Sequence, residues 1–199
     1  MNPAVQKLIG IVLPPKEPVG TGSPAEWQRV SKQFGIDFPK EYRELIALYG
    51  AGDFLDFIGI LSPFSTRTPL FERHEQSSAY YESALKSSAS RPSRRDQFEI
   101  WKPFGNGLLT IGGDDNGRTL FLNASNDTDS WKTVYASFGF AEIEESHSGV
   151  CEFVFRLITG NLKTDWLRTQ RSQWSEEPIF VPESPTPTQA EIDAVLGKQ

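Results

Sequence analysis

The chain has 199 residues, is 38% hydrophobic and holds five tryptophans, enough apolar surface for a domain core, which excludes bulk disorder. Its net charge of −6 at pH 7 opposes nonspecific binding to nucleic acid or to an anionic membrane and suits basic partners. One cysteine, Cys151, and two histidines exclude an intrachain disulfide and a Cys/His zinc cluster, no run approaches the roughly 18 apolar residues of a membrane span, and a reducing, cytoplasmic setting is expected.

Residues 1–22 hold a short apolar segment followed by Pro14, Pro15, Pro18, Gly20 and Gly22, a composition that predicts a lead-in to the fold. The apolar run at 8–13 is broken by Pro14-Pro15 and lacks a basic leader, so it does not read as a signal peptide. Ser23-Pro24-Ala25-Glu26 is a capping box that opens a helix over 24–34, with Trp27, Val30 and Phe34 on one face and Gly35 to end it. Pro39 opens a second helix in which Tyr42, Leu45, Ile46 and Tyr49 share a face, and Gly50 stops it. Residues 54–61 are apolar apart from Asp56 and Gly59 and predict one largely buried strand. The polar stretch 65–97 predicts a helix over 72–86, with His74 at the surface.

Strands are expected at 108–113 and 119–123, because Asn116-Gly117 between two apolar runs favours a tight hairpin with positive φ. Two more are expected at 131–137 and 140–144. Ser148 is placed to cap a last core helix in which Val150, Phe153, Val154, Leu157 and Ile158 share a face and which Gly160 ends. Trp166 and Trp174 follow in a polar stretch, residues 178–187 read as a proline-rich linker, and Thr188 with Glu191 forms a capping box for a short terminal helix.

The residue types that carry chemistry are sparse. His147 stands four residues before Cys151, a spacing compatible with a thiol–imidazole pair, but Cys151 adjoins an apolar helix face, where a free cysteine behaves as a small hydrophobe. Asp114-Asp115 and Asp127-x-Asp129 are the densest carboxylates, yet they lack the ligand alternation of a calcium loop, so turn chemistry and loop solvation account for them and neither a metal nor a cofactor is expected. Gly112-Gly113 lacks the helix start of a phosphate cradle, and Arg91, Arg94 and Arg95 read as a solvated loop. Residues 103–160 carry eight acidic side chains against three basic ones, so most of the net charge lies in the hairpin half.

The run Glu26-Trp27, Phe34-Gly35, Phe38-Pro39-Lys40-Glu41-Tyr42, Leu45 and Tyr49-Gly50-Ala51-Gly52-Asp53-Phe54 resembles the opening of the SUKH superfamily (Smi/Knr type). Gly107-Leu108-Leu109-Thr110-Ile111-Gly112, Asn116-Gly117 and Asp127-x-Asp129-x-Trp131-Lys132-Thr133-Val134 are similar to its second half, in the same order, and Glu152-Phe153 with residues 157–160 to its closing helix. Thr110-Ile111 and Leu122 depart from the proline, aromatic and tryptophan common there, and nothing after about residue 162 has a counterpart. The resemblance implies an α+β domain over 23–160, a mainly antiparallel sheet flanked by helices, with the lead-in 1–22 before it and a C-terminal extension over 161–199. It also implies a binding module rather than an enzyme: bacterial members are mostly immunity proteins that bind and neutralise toxins, many of them nucleases, and a fungal branch regulates cell-wall assembly.

The expected partner is thus a cognate protein toxin, with basic nucleases as one class, and neither nucleic acid nor membrane. Asp114 and Asp115 at the hairpin tip and Asp127 and Asp129 before Trp131 are the first candidates for partner binding, because loops on a rigid sheet expose side chains at fixed spacing. Asp53 and Asp56 rank after them, Asp56 as a residue expected to be hydrogen-bonded within an apolar strand. The competing readings are a regulatory or scaffolding protein like the fungal branch and a metal-assisted hydrolase built on Asp114 and Asp115.

Overall fold

A computed structural model describes residues 1–86, 97–128, 131–162 and 177–184. It contains an α+β architecture in which the seven described strands pair antiparallel throughout, with single parallel bridges at Val19–Gly50 and Ile100–Leu108. The N-terminal segment, expected as a lead-in, holds helix α1 (Pro3–Ile9): Asn2 caps it by accepting a hydrogen bond from the Ala4 N–H at 2.8 Å, and Val5, Leu8 and Val12 are fully buried. Seven residues give too little periodicity to reveal such a helix, and its stability comes from packing against a later one.

Helix α2 (Pro24–Phe34) carries the expected capping box, with Gly35 in the left-handed conformation at its end. In α3 (Lys40–Tyr49) the predicted stripe of Tyr42, Leu45, Ile46 and Tyr49 is fully buried. The two tyrosine hydroxyls in that stripe donate to the Leu61 and Val12 carbonyls, each at 2.6 Å, so their polar ends are satisfied where water is excluded.

The single strand expected at 54–61 is two strands, β1 (Gly52–Phe54) and β2 (Ile58–Ile60), folded into a hairpin. The chain turns at Leu55 and Asp56, both with positive φ, and Leu55 is a side chain whose left-handed conformation the pattern of hydrophobicity does not reveal. Helix α4 (Leu70–Lys86) follows, then β3 (Gly107–Asp114), β4 (Thr119–Ala124), β5 (Lys132–Ala136), a 3-10 turn (Phe138–Phe140), β6 (Ile143–Glu145), α5 (Val150–Ile158) and β7 (Phe180–Pro182).

The sheet order is β6-β5-β4-β3-β2-β1-β7. Strand β7 lies inside the segment expected to be a linker. It pairs with β1, Asp53 opposite Val181, and its Phe180 ring packs edge-on against Phe54 and Tyr49. The Leu55 N–H donates to the Ile179 carbonyl and the Glu183 N–H to that of Ala51, so odd-numbered residues of β7 bond inward and Pro178 and Pro182 turn to the free edge.

One face of the sheet carries the main core, where Leu109, Ile111, Leu120, Tyr135 and the β1–β2 apolar residues meet α1, α2, α3 and α5. The expected Ser148 cap on α5 is replaced from outside the helix: Gly149 is the cap residue, and the Glu41 carboxylate of α3 accepts the Cys151 N–H at 2.5 Å. Desolvation raises the Glu41 pKa against that hydrogen bond. The opposite face holds a smaller core of Leu108, Phe121, Val134, Ala136 and Phe140 under Tyr81 of α4. No helix among the described residues is long and apolar enough to cross a membrane.

Candidate functional site

His74, expected at the surface, is buried beneath α4. The Thr110 N–H donates to its Nδ1 at 3.2 Å, which leaves the proton on Nε2 to be donated to the Trp101 carbonyl at 2.9 Å. Both nitrogens are thus used in the neutral ring, and burial lowers its pKa. This histidine ties α4 to the sheet. His147 is exposed while Cys151 is fully buried, with its thiol pKa pushed up by desolvation and by Glu41, so they form no nucleophile–base pair.

The six candidate aspartates separate into three situations. Asp114 is half-buried and structural: Oδ1 accepts the Asn116 and Arg118 N–H groups at 3.0 and 2.8 Å, and Oδ2 accepts the Tyr135 hydroxyl, which fixes the hairpin turn. Asp127 is exposed, at the opposite end of β4 from the hairpin tip, and Asp129 lies outside the described residues. Asp53, Asp56 and Asp115 come together at the β1–β2–β3 end of the sheet.

Their meeting follows from register. Val181, Asp53, Gly59, Gly113, Thr119 and Ala136 are cross-strand partners in one continuous row over β7, β1, β2, β3, β4 and β5. This row lies on the α4 side, since its neighbours Phe54, Ile58 and Ile60 belong to the main core. At Thr119 the row passes under α4, where the Tyr81 hydroxyl shares a hydrogen bond with it at 2.7 Å. Toward β7 no helix among the described residues covers it: Gly59 and Asp53 are half-exposed and Val181 is 38% exposed.

Two turns bring further carboxylates to this bare half. Asp56 sits exposed in the β1–β2 turn, and Asp115, exposed, follows β3 with its N–H donating to the Phe57 carbonyl at 3.3 Å. Glu183 follows β7. The Asp53 pKa is raised, first by its own burial and then by the negative charges of Asp115, Asp56 and Glu183, with Arg67 opposing them. A cavity of about 350 Å³ adjoins the row on the α4 side, walled by Arg73, Tyr81, Thr119 and Arg118 over Gly59 and Gly113. Among the described residues no group of three or more His, Cys, Asp or Glu side chains is placed to hold a metal ion.

Glu183, Val181 and the glycine floor were beyond sequence reasoning, because they join the site only through the β1–β7 pairing and the β2–β3 register. The Gly112-Gly113 pair was the available signal. Gly112 is needed for close approach, since a Cβ there would stand 2.0 Å from the Gly59 carbonyl oxygen.

No curated protein matches the chain. The model of the SMI1 / KNR4 family (SUKH-1) matches residues 21–155, and the chain belongs to that family.

Proposed function

We propose that this chain is a non-catalytic, cytoplasmic protein-binding module that acts as an immunity protein, neutralising a cognate toxin by stoichiometric binding. The observation that carries the reading is the gathering of Asp53, Asp56, Asp115 and Glu183 on a part of the sheet that no helix among the described residues covers. Holding like charges together lowers stability, so a family of binding modules gains from the arrangement only if something of opposite charge is met there. Rim carboxylates of this kind speed encounter with a basic protein and reject acidic ones. A nuclease, which needs basic groups to hold phosphate, is the toxin class that fits.

The test is genetic and then biochemical. The product of the reading frame beside this gene is expressed alone and with this chain. Toxicity relieved by co-expression, with a one-to-one complex on gel filtration, is the expected result. A harmless neighbour, together with a growth or cell-wall defect on deleting this gene, would replace the reading with that of a regulator.

A further inference from the structure

The main-core face of the sheet is covered by four helices and the opposite face, among the described residues, by α4 together with Phe98, Ile100 and Phe140 over β3 to β5. Among the described residues the three-strand span β7–β1–β2 has no helix over it. At about 4.8 Å per strand it is roughly 14 Å wide, enough for one helix of about 10–12 Å diameter to lie beside α4.

We infer that this span is the docking site for an amphipathic helix of a partner protein, with a small or apolar stripe against Gly59, Gly113 and Val181 and with lysine or arginine on the flank over Asp53, Asp115 and Glu183. The inference rests on the binding-module reading and names its surface and the chemistry of its partner. The floor sets the stripe: Gly59 and Gly113 carry no side chains and only the movable Asp53 carboxylate lies over Gly59, so a helix that displaces it approaches the sheet closely, while Val181 and Ile179, 38% and 36% exposed, supply apolar contact. Charge sets the direction. Around Asp53 the carboxylates of Asp115, Asp56 and Glu183 stand against one cation, Arg67, while Arg73 and the Glu142-paired Arg118 wall the α4 side, so a helix is complemented best with its cations over Asp53. A helix laid in the reverse sense sets its cations against Arg73 and leaves the carboxylates unmet.

Gly59 provides a bump with little damage to the fold. Its φ is ordinary, and an added Cβ would meet only the movable Asp53 carboxylate oxygen at 2.9 Å and the Gly113 carbonyl at 3.6 Å. Gly113 is unsuitable, because there a Cβ would stand 2.5 Å from the Arg118 carbonyl oxygen. The probe is a synthetic 20-residue helical peptide with an alanine–leucine stripe, lysines on one flank and glutamines on the other. A second peptide with glutamate in place of lysine serves as control.

In a titration of the isotope-labelled full chain, the lysine peptide is expected to shift the amide resonances of Asp53, Gly59, Gly113 and Val181, and the glutamate peptide to leave them still. Gly59→Gln and, separately, Asp115→Lys, each verified as folded by circular dichroism, should weaken binding about tenfold or more. Shifts centred elsewhere, no binding, or full affinity in folded Gly59→Gln would overturn the inference. So would self-association of the chain that Gly59→Gln abolishes, since a second copy would then be the occupant. If co-expression shows a toxin neutralised equally by wild type and Gly59→Gln, the docking face is wrong and the immunity reading stands. If no toxin exists, that reading falls and the peptide titration still decides the face.

Discussion

Two halves of one sheet face follow opposite rules. Under α4, the row that passes through Thr119 and Ala136 neighbours Phe121, Val134 and Phe140, fully or almost fully buried beneath Tyr81. Toward β7, the same row reads Gly113, Gly59, Asp53 and Val181, with two positions lacking a side chain and one holding a charge. The backbone is continuous across both. One half contributes stability, while the other carries mutually repelling carboxylates on a surface a neighbour could use.

The largest expected contrast is between truncations in the two halves. Phe121→Ala removes a fully buried ring stacked near Phe140 and edge-on to Tyr81, and should cost about 3–5 kcal/mol in a urea titration, against less than about 1 kcal/mol for Val181→Ala. Equal losses would mean that the β7 half is packed as tightly as the α4 half. Phe180→Ala should fall between them, near 2 kcal/mol, because its half-buried ring touches Phe54 and Tyr49 from the edge strand.

pH sharpens the comparison, since the two halves should respond in opposite directions. His74 has a folded-state pKa below its unfolded value of about 6.5, so the unfolded chain takes up the proton first. Its contribution is complete above pH 6.5 and is lost as the pH falls through the lowered folded-state value. Asp53 has a raised pKa, so stability falls as the pH rises from about 3.8 through the folded-state value. Asp53→Asn should therefore stabilise the protein at pH 7, by no more than about 1 kcal/mol for a half-exposed group screened by water. Thermal melts between pH 4 and 8 of wild type, His74→Gln and Asp53→Asn check both signs. A destabilised Asp53→Asn at pH 7 would assign that carboxylate a structural role.

The helices with capping boxes or long apolar stripes and the β3–β4 hairpin were legible because their signals are local. Ser23 with Glu26, the spacing of Tyr42 to Tyr49, and Asn116-Gly117 each act within a few residues. What was hidden depends on distant partners. Helix α1 is held by later elements, α5 is capped by a carboxylate 110 residues away, and β7 exists because β1 presents an unpaired edge and an aromatic socket. His74 misled for the same reason: its polar neighbours in sequence lie on the outer side of α4, while the residues that satisfy its ring come from Thr110 and Trp101. The candidate site was half legible. Asp53, Asp56 and Asp115 were identified singly, but no local pattern could tell that strand register would unite them with Glu183 while Asp127 goes to the other end of β4.

Prolines 178 and 182 have a consequence at the scale of the cell. A sheet whose last strand offers a regular ladder of donors is a template on which further copies can add without limit, and the aggregate grows faster as the protein accumulates. Strand β7 interrupts that ladder, because at two of its three outward positions, 178 and 182, the backbone nitrogen carries a ring carbon in place of hydrogen, which leaves the Phe180 N–H alone between them. Removing residues 178–199 would bare β1, whose edge has no proline of its own, and the protein would then carry an open end for fibre growth.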